Sequence, residues 1–201
     1  MEYKLNCIIR VATSGDYKYT DDIIDEMAIS AKKRGTGIGR RTPEYIRGKM
    51  NAGLAVIAIN PDNNEWVGFC CIEVWQHEKY VANSGLIISP KYRGLGISKK
   101  IKIKTLELCR VKFPHARIFS LTTSPAVISV NHSLGYSNVP FTDILNDPLF
   151  LTGCNSWVNY IDLMNGRHNS SPYTAMVFDP VEEFVEPGSF IGPGFECGVL
   201  N

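Results

Sequence analysis

A chain of 201 residues with 44% hydrophobic content can build one ordinary core without disulfide or metal staples, and is too apolar to be disordered. Its 21 basic and 20 acidic residues leave a formal charge of +1, which argues against the basic excess of a nucleic-acid surface. There is no apolar run near the ~20 residues of a membrane span and no apolar segment behind a basic start. The six cysteines lack CxxC spacing, so the expectation is a cytoplasmic protein with reduced thiols and no metal, nucleic-acid or membrane partner.

In chain order, Ile8 to Ala12 is predicted as a short strand stopped by Thr13-Ser14-Gly15-Asp16. Ile23, Ile24, Met27, Ala28 and Ala31 recur at helical spacing and predict an amphipathic helix over 21–33. A basic, glycine-rich link follows, from Arg34 through Gly35, Gly37 and Gly39 to Arg40 and Arg41. Thr42-Pro43 then supplies an N-cap and a proline at the first helical position, opening a second helix to about Met50. The centre reads as an antiparallel meander over 54–59, 66–75 and 81–89, with its first turn at Pro61-Asp62-Asn63-Asn64 and its second through His77 and Glu78. After Pro90 and a glycine-rich turn, 97–111 is assigned to a helix on length. A strand over 117–122 and a helix over 125–134, closed by Gly135, follow. The last strand is expected at 173–178, with one more strand and irregular structure inside 138–160. This order predicts an α/β protein of the α+β kind, a mixed and largely antiparallel sheet with helices on both faces. Residues 1–180 are expected to form one domain, and 181–201 a tail either packed on it or loose.

The segment richest in chemistry runs from Ser84 to Ser98, where a strand enters a glycine-rich turn that opens a helix. Such a turn offers unpaired N–H groups and the positive end of a helix dipole, a site for phosphate or pyrophosphate. A P-loop is excluded because no Gly-Lys-Ser/Thr follows, and a dinucleotide fold because no GxGxxG unit lies in a parallel βαβ segment. Arg93-Gly94-Leu95-Gly96-Ile97-Ser98, with Leu86-Ile87-Ile88-Ser89-Pro90-Lys91-Tyr92 before it, resembles the acetyl-CoA signature of the GNAT superfamily. Ser98 departs from the glycine or alanine of the last position. Arg34-Gly35-Thr36-Gly37-Ile38-Gly39 fits the six-residue pattern better, but it follows a helix, whereas the later copy joins strand to helix.

The resemblance implies the GNAT acyl-CoA N-acyltransferase fold and acetyl-CoA as cofactor. Arg93 and Gly94 open the turn, Leu95, Gly96, Ile97 and Ser98 hold the pyrophosphate, and the backbone of Leu86, Ile87 and Ile88 pairs with the pantetheine arm. The sheet splays between the strands at 81–89 and 117–122, and the thioester sits at the opening. Where many relatives carry a strand glutamate this chain has Ser84, so Glu73, in the apolar run Phe69 to Trp75, is the candidate base, with His77 a weaker one. Where many relatives carry the tyrosine that protonates the thiolate this chain has Asn131, which can bond the cofactor but not act as an acid, and Tyr136 is read as packing. Arg34, Arg40 and Arg41, with Arg47, lie where the acceptor is covered in this fold. Arginine forks suit carboxylates, so a small acidic amine such as a glutamate-like amino acid is the expected substrate. A peptide acceptor, a non-catalytic acyl-CoA-binding regulatory role and a homodimer are left open. Cys154 is read as structural.

Overall fold

The computed structural model describes residues 6–34, 41–75, 80–140 and 174–180. In chain order the elements are β1 (Ile8–Val11), α1 (Thr20–Arg34), α2 (Pro43–Asn51), β2 (Ala55–Asn60), β3 (Glu65–Trp75), β4 (Tyr80–Ile88), α3 (Ile97–Lys112), β5 (Arg117–Thr122), α4 (Pro125–His132), β6 (Ser137–Asn138) and β7 (Thr174–Phe178). The strands form one sheet in the order β1-β2-β3-β4-β5-β7-β6, in which β4 and β5 are the parallel pair and the others are antiparallel. The expected meander is therefore β2 to β4, and the mixed, largely antiparallel sheet carries helices on both faces as anticipated. The short β6 ends at Asn138, where the stretch 138–160 expected to hold a further strand begins; residues 141–173 lie outside the described part, as do 181–201.

Two short 3-10 helices went unread in the sequence, Ser14–Tyr19 and Pro90–Tyr92. The first is a helix, not a plain stop after β1. Asp16 holds it: the carboxylate accepts from both Arg10 guanidinium nitrogens at 2.7 and 2.8 Å and from the Thr13 N–H at 2.8 Å, while the residue is 2% exposed. A buried, fully bonded carboxylate of this kind fixes the entry to α1.

Alternation along β2, which is buried throughout, sorts the core into two layers. Ala55, Ile57 and Ile59 meet Ile23 and Met27 of α1 and Ile46 and Met50 of α2 on one face. Val56 and Ala58 meet Ile97 and Ile101 of α3 on the other. Further along that second face, Cys109 and Phe113 pack with Ile72, Val81, Ile118 and Met176. The helix periodicity of α1 and α3 thus buries one stripe each, at about 1.5–3 kcal/mol per large side chain.

The two parallel strands share a short seam. β4 pairs β5 only through Tyr80↔Arg117, Val81↔Ile118 and Ala82↔Phe119. Beyond Ala82 no described strand pairs with that edge of β4, and the sheet divides there.

Candidate functional site

The dividing edge is shaped by an irregularity in β4. Cys71 stands opposite Ser84 and Phe69 opposite Ile87, so Gly85 and Leu86 share the single place facing Cys70, which is a β-bulge. Gly85 has φ +64°, and a Cβ there would lie 2.9 Å from Met27 Cε of α1. The left-handed φ favours glycine, and a Cβ would in addition have to push aside the flexible end of Met27. A lone glycine inside a strand was the only signal of this in the sequence.

The strand then delivers the chain to the expected turn. Gly94 and Gly96 have φ +79° and +70°, and Gly96 is the N-cap of α3 with no side chain capping the helix. A Cβ at either glycine would meet nothing within 4 Å, so the left-handed backbone, not crowding inside the protein, calls for glycine here. The first N–H groups of α3 have no intrahelical partner. Ile97 is buried in the core and can offer a ligand only its backbone, whereas Leu95 is exposed and Ser98 half-buried. Arg93 is a brace: its Nε donates to the Ile88 carbonyl at 3.1 Å, and its guanidinium pairs with Glu26 and donates to Ser30 Oγ at 3.1 Å, both on α1. A groove of about 530 Å³ beside this brace is lined by Asp22, Asp25, Glu26, Glu65 and Lys91, a net negative charge that disfavours phosphate.

At the other end of the free edge lies a charged cluster. Glu73 of β3 receives Lys49 Nζ at 2.7 Å and an Arg41 nitrogen at 3.5 Å, and the Tyr45 hydroxyl donates to it. Arg41 also donates to Ser84 Oγ on β4 at 2.8 Å and stacks 4.5 Å from the Tyr45 ring centre. Lys49 donates to the Ile72 carbonyl at 2.8 Å. Arg41, Tyr45 and Lys49 are four residues apart and fall on one side of α2 and its N-terminal approach, a spacing legible in the sequence but not read there as a site. The Glu73 side chain is 17% exposed, so it faces this cluster and not open solvent. Burial pushes the Glu73 carboxyl above the usual carboxylate range, against the pull of the Arg41 guanidinium and a hydrogen bond from Ser84. Burial likewise pushes the Lys49 ammonium down. The direct ion pair opposes both shifts.

The remaining predicted residues are distributed unevenly. Asn131 is wholly buried on α4, where its Nδ2 donates to Ser120 Oγ at 2.9 Å and to Met176 Sδ at 3.4 Å. Tyr136 is in the core, with its hydroxyl donating to Asn83 Oδ1 at 2.9 Å. Arg47 turns aside and lies 5.6 Å from the Tyr17 ring centre. Arg34 is the last residue of α1; its side chain, Arg40, His77 and Cys154 lie outside what is described. Among the described residues no group of histidines, cysteines and carboxylates could hold a metal ion, and no helix is long and apolar enough to cross a membrane.

Against this geometry, the Acetyltransferase (GNAT) family model matches residues 44–131, which run from α2 across the meander and the glycine turn to Asn131. No curated protein matches. Among solved structures, N-acetylglutamate synthase from Neisseria gonorrhoeae, complexed with coenzyme A and N-acetyl-glutamate, is similar at 15% identity and TM-score 0.58. That match covers 87% of this chain but 35% of the Neisseria chain, so the present chain spans about a third of that protein. The Mycobacterium tuberculosis protein Rv2747, in complex with CoA and NLQ, is similar at 15% identity and TM-score 0.61, over 86% of this chain and 98% of that one. A phosphinothricin acetyltransferase from Sinorhizobium meliloti, in complex with AcCoA, is similar at 16% identity and TM-score 0.53, over 67% of this chain and 76% of that one. At these identities the structures speak for the fold, and the family model speaks for the segment that builds the strand, turn and helix. Over residues 44–131, rather less than half of its length, the chain matches the model of the GNAT acetyltransferase family.

Proposed function

We propose that the protein is an acetyl-CoA-dependent N-acetyltransferase whose acceptor is a small amine bearing a carboxylate, such as a glutamate-like amino acid. The observation that carries this reading is the continuity of the β4 edge. It runs from an uncapped helix N-terminus at Gly96, past a bulge at Gly85, to a cationic cluster at Ser84 and Glu73. The backbone of Leu95 to Ser98 would hold the pyrophosphate, and that of Leu86 to Ile88 the pantetheine arm, with the Ile88 carbonyl already engaged by Arg93. From Ile88 to Asn83 the strand extends about 17 Å at the usual rise per residue. The reactive end of an arm laid along it would come to the vertex where β4 leaves β5. CoA or AcCoA in the similar solved structures supports the same cofactor.

Two cations, Arg41 and Lys49, meet one carboxylate, Glu73, and the buried Arg41 Nε has no partner among the described residues. A site with one positive charge in excess favours a carboxylate on the acceptor. Arg34 and Arg40 belong to the same link and are assigned to the same task. Glu73 is the base in this reading, and a cytoplasmic setting agrees with the free thiols of Cys70, Cys71 and Cys109. Thermal unfolding with acetyl-CoA tests it. Ligand at 100 times its Kd adds about 2.7 kcal/mol, which raises the Tm by roughly 5–10 °C in a domain of this size. No shift at millimolar acetyl-CoA would remove the cofactor and the activity together.

A second reading, an acyl-CoA-binding module without turnover, draws on the three donors that already occupy Glu73. A cofactor-dependent Tm shift with no acetylation across a panel of amino acids and peptides would decide for it.

A further inference from the structure

Lys102 lies on α3 with 1% of its surface exposed. Its Nζ donates to Asn83 Oδ1 at 2.9 Å, and the Tyr136 hydroxyl donates to the same oxygen at 2.9 Å. The ammonium stands 5.1 Å from the Tyr136 ring centre, and Asn83 Nδ2 is 3.5 Å from Cys109 Sγ. Among the described residues, the polar groups around this centre are the following. β3 gives Cys70, α3 gives Cys109 and Thr105, β4 gives Asn83, and the turn after α4 gives Tyr136. None is a carboxylate. Burial pushes the thiols of Cys70 and Cys109 up to about 12 and the Tyr136 phenol well above its ordinary value, so none of the three supplies a negative charge near neutrality. Burial pulls Lys102 itself down to about 8.

A buried ammonium with no counter-ion and one acceptor for its three N–H bonds among the described residues is costly. Packing alone would be served better by a methionine of similar length. Position supplies a reason. Asn83 is the first residue of β4 past its last pair with β5, Ala82↔Phe119, and it is half-buried at the vertex of the division. We propose that Lys102, set behind Asn83, stabilises the negative charge that gathers on the CoA sulfur as the acyl group leaves. This rests on the acyl-CoA reading above. In the step the acceptor nitrogen bonds to the acyl carbon and the C–S bond breaks with its electron pair going to sulfur. The proton lost by the amine balances the one the thiolate takes up. Lys102 is a positioning residue here: it fixes the Asn83 amide and gives the vertex a positive field.

The test is the titration of bound CoA, followed by the ultraviolet band of its thiolate in the full-length protein. In the wild type the thiol should titrate about one unit below its ordinary value of about 8.5. Lys102→Met should return it to that value or above while leaving the Tm unchanged or higher, and Lys102→Arg should keep it low. Turnover in Lys102→Met should fall about 10–100-fold with the KM for acetyl-CoA unchanged. An unchanged thiol titration in Lys102→Met would overturn the proposal. If that variant does not fold, Asn83→Asp, which sets a counter-ion against Lys102, should raise the thiol pKa instead, and no rise would overturn it equally. Failure of the wild type to bind CoA would strike down the acyl-CoA reading itself, a result distinct from bound CoA that ignores Lys102.

Discussion

Of the ionisable side chains that β3 and α3 bring inside, Glu73 is met by Lys49, Arg41 and Tyr45, whereas Lys102 is met by Asn83. The difference sets what each can do. A carboxylate with three donors is held in one orientation, so its capacity as a base depends on how far burial offsets the cations. Glu73→Gln is expected to lower kcat about 10²–10⁴-fold with little change in acetyl-CoA affinity, because the amide keeps hydrogen bonds to Tyr45 and Lys49 but accepts no proton. Steady-state kinetics beside a binding isotherm measures both, and unchanged turnover would remove Glu73 from the chemistry. The base candidate was visible in the sequence as the one acid in an apolar strand. Its partners were not, because Tyr45 and Lys49 reach it only once α2 lies across β3, a contact that local spacing does not encode.

Among elements, β4 carries the greatest demands, since it must close the meander, part from β5 and feed the turn before α3. The bulge at Gly85 reconciles these, and the strand depends on it. Gly85→Ala would place a methyl group against Met27 Cε and force a left-handed φ on an ordinary residue, a loss of about 1–3 kcal/mol. Met27→Ala in the same chain should recover the steric part and leave the backbone part, so chemical denaturation of the two single variants and the double should show losses that do not add. The meander, α3 and the turn at Gly94 and Gly96 were legible beforehand because proline, glycine and periodicity act locally. The bulge and the burial of Asn131 were not, because each involves a partner far away in the chain, Met27 for the first and Met176 for the second; the 3-10 helix at Ser14–Tyr19 rests on the local Arg10–Asp16 pair, whose burial only the fold decides.

At the scale of the whole molecule, the sheet is two half-sheets joined by three residue pairs, with β1 to β4 on one side and β5, β7 and β6 on the other. An acyl-CoA laid along β4 would take the place of the missing ladder. Amide hydrogen exchange at Ser84 to Ile88 should therefore slow about tenfold or more on adding CoA, while exchange in β2, buried between its neighbours, stays as it was. Equal exchange in both states would mean that the cofactor does not lie along this strand. The same short seam bears on how the protein behaves in solution. An edge of β4 without a strand partner among the described residues is a template for an extended peptide, including the β4 of another copy. Cofactor occupancy and resistance to aggregation are then one property: the stock most prone to precipitate would be the one from which CoA has been stripped, and a little CoA in the buffer would act as a solubilising agent.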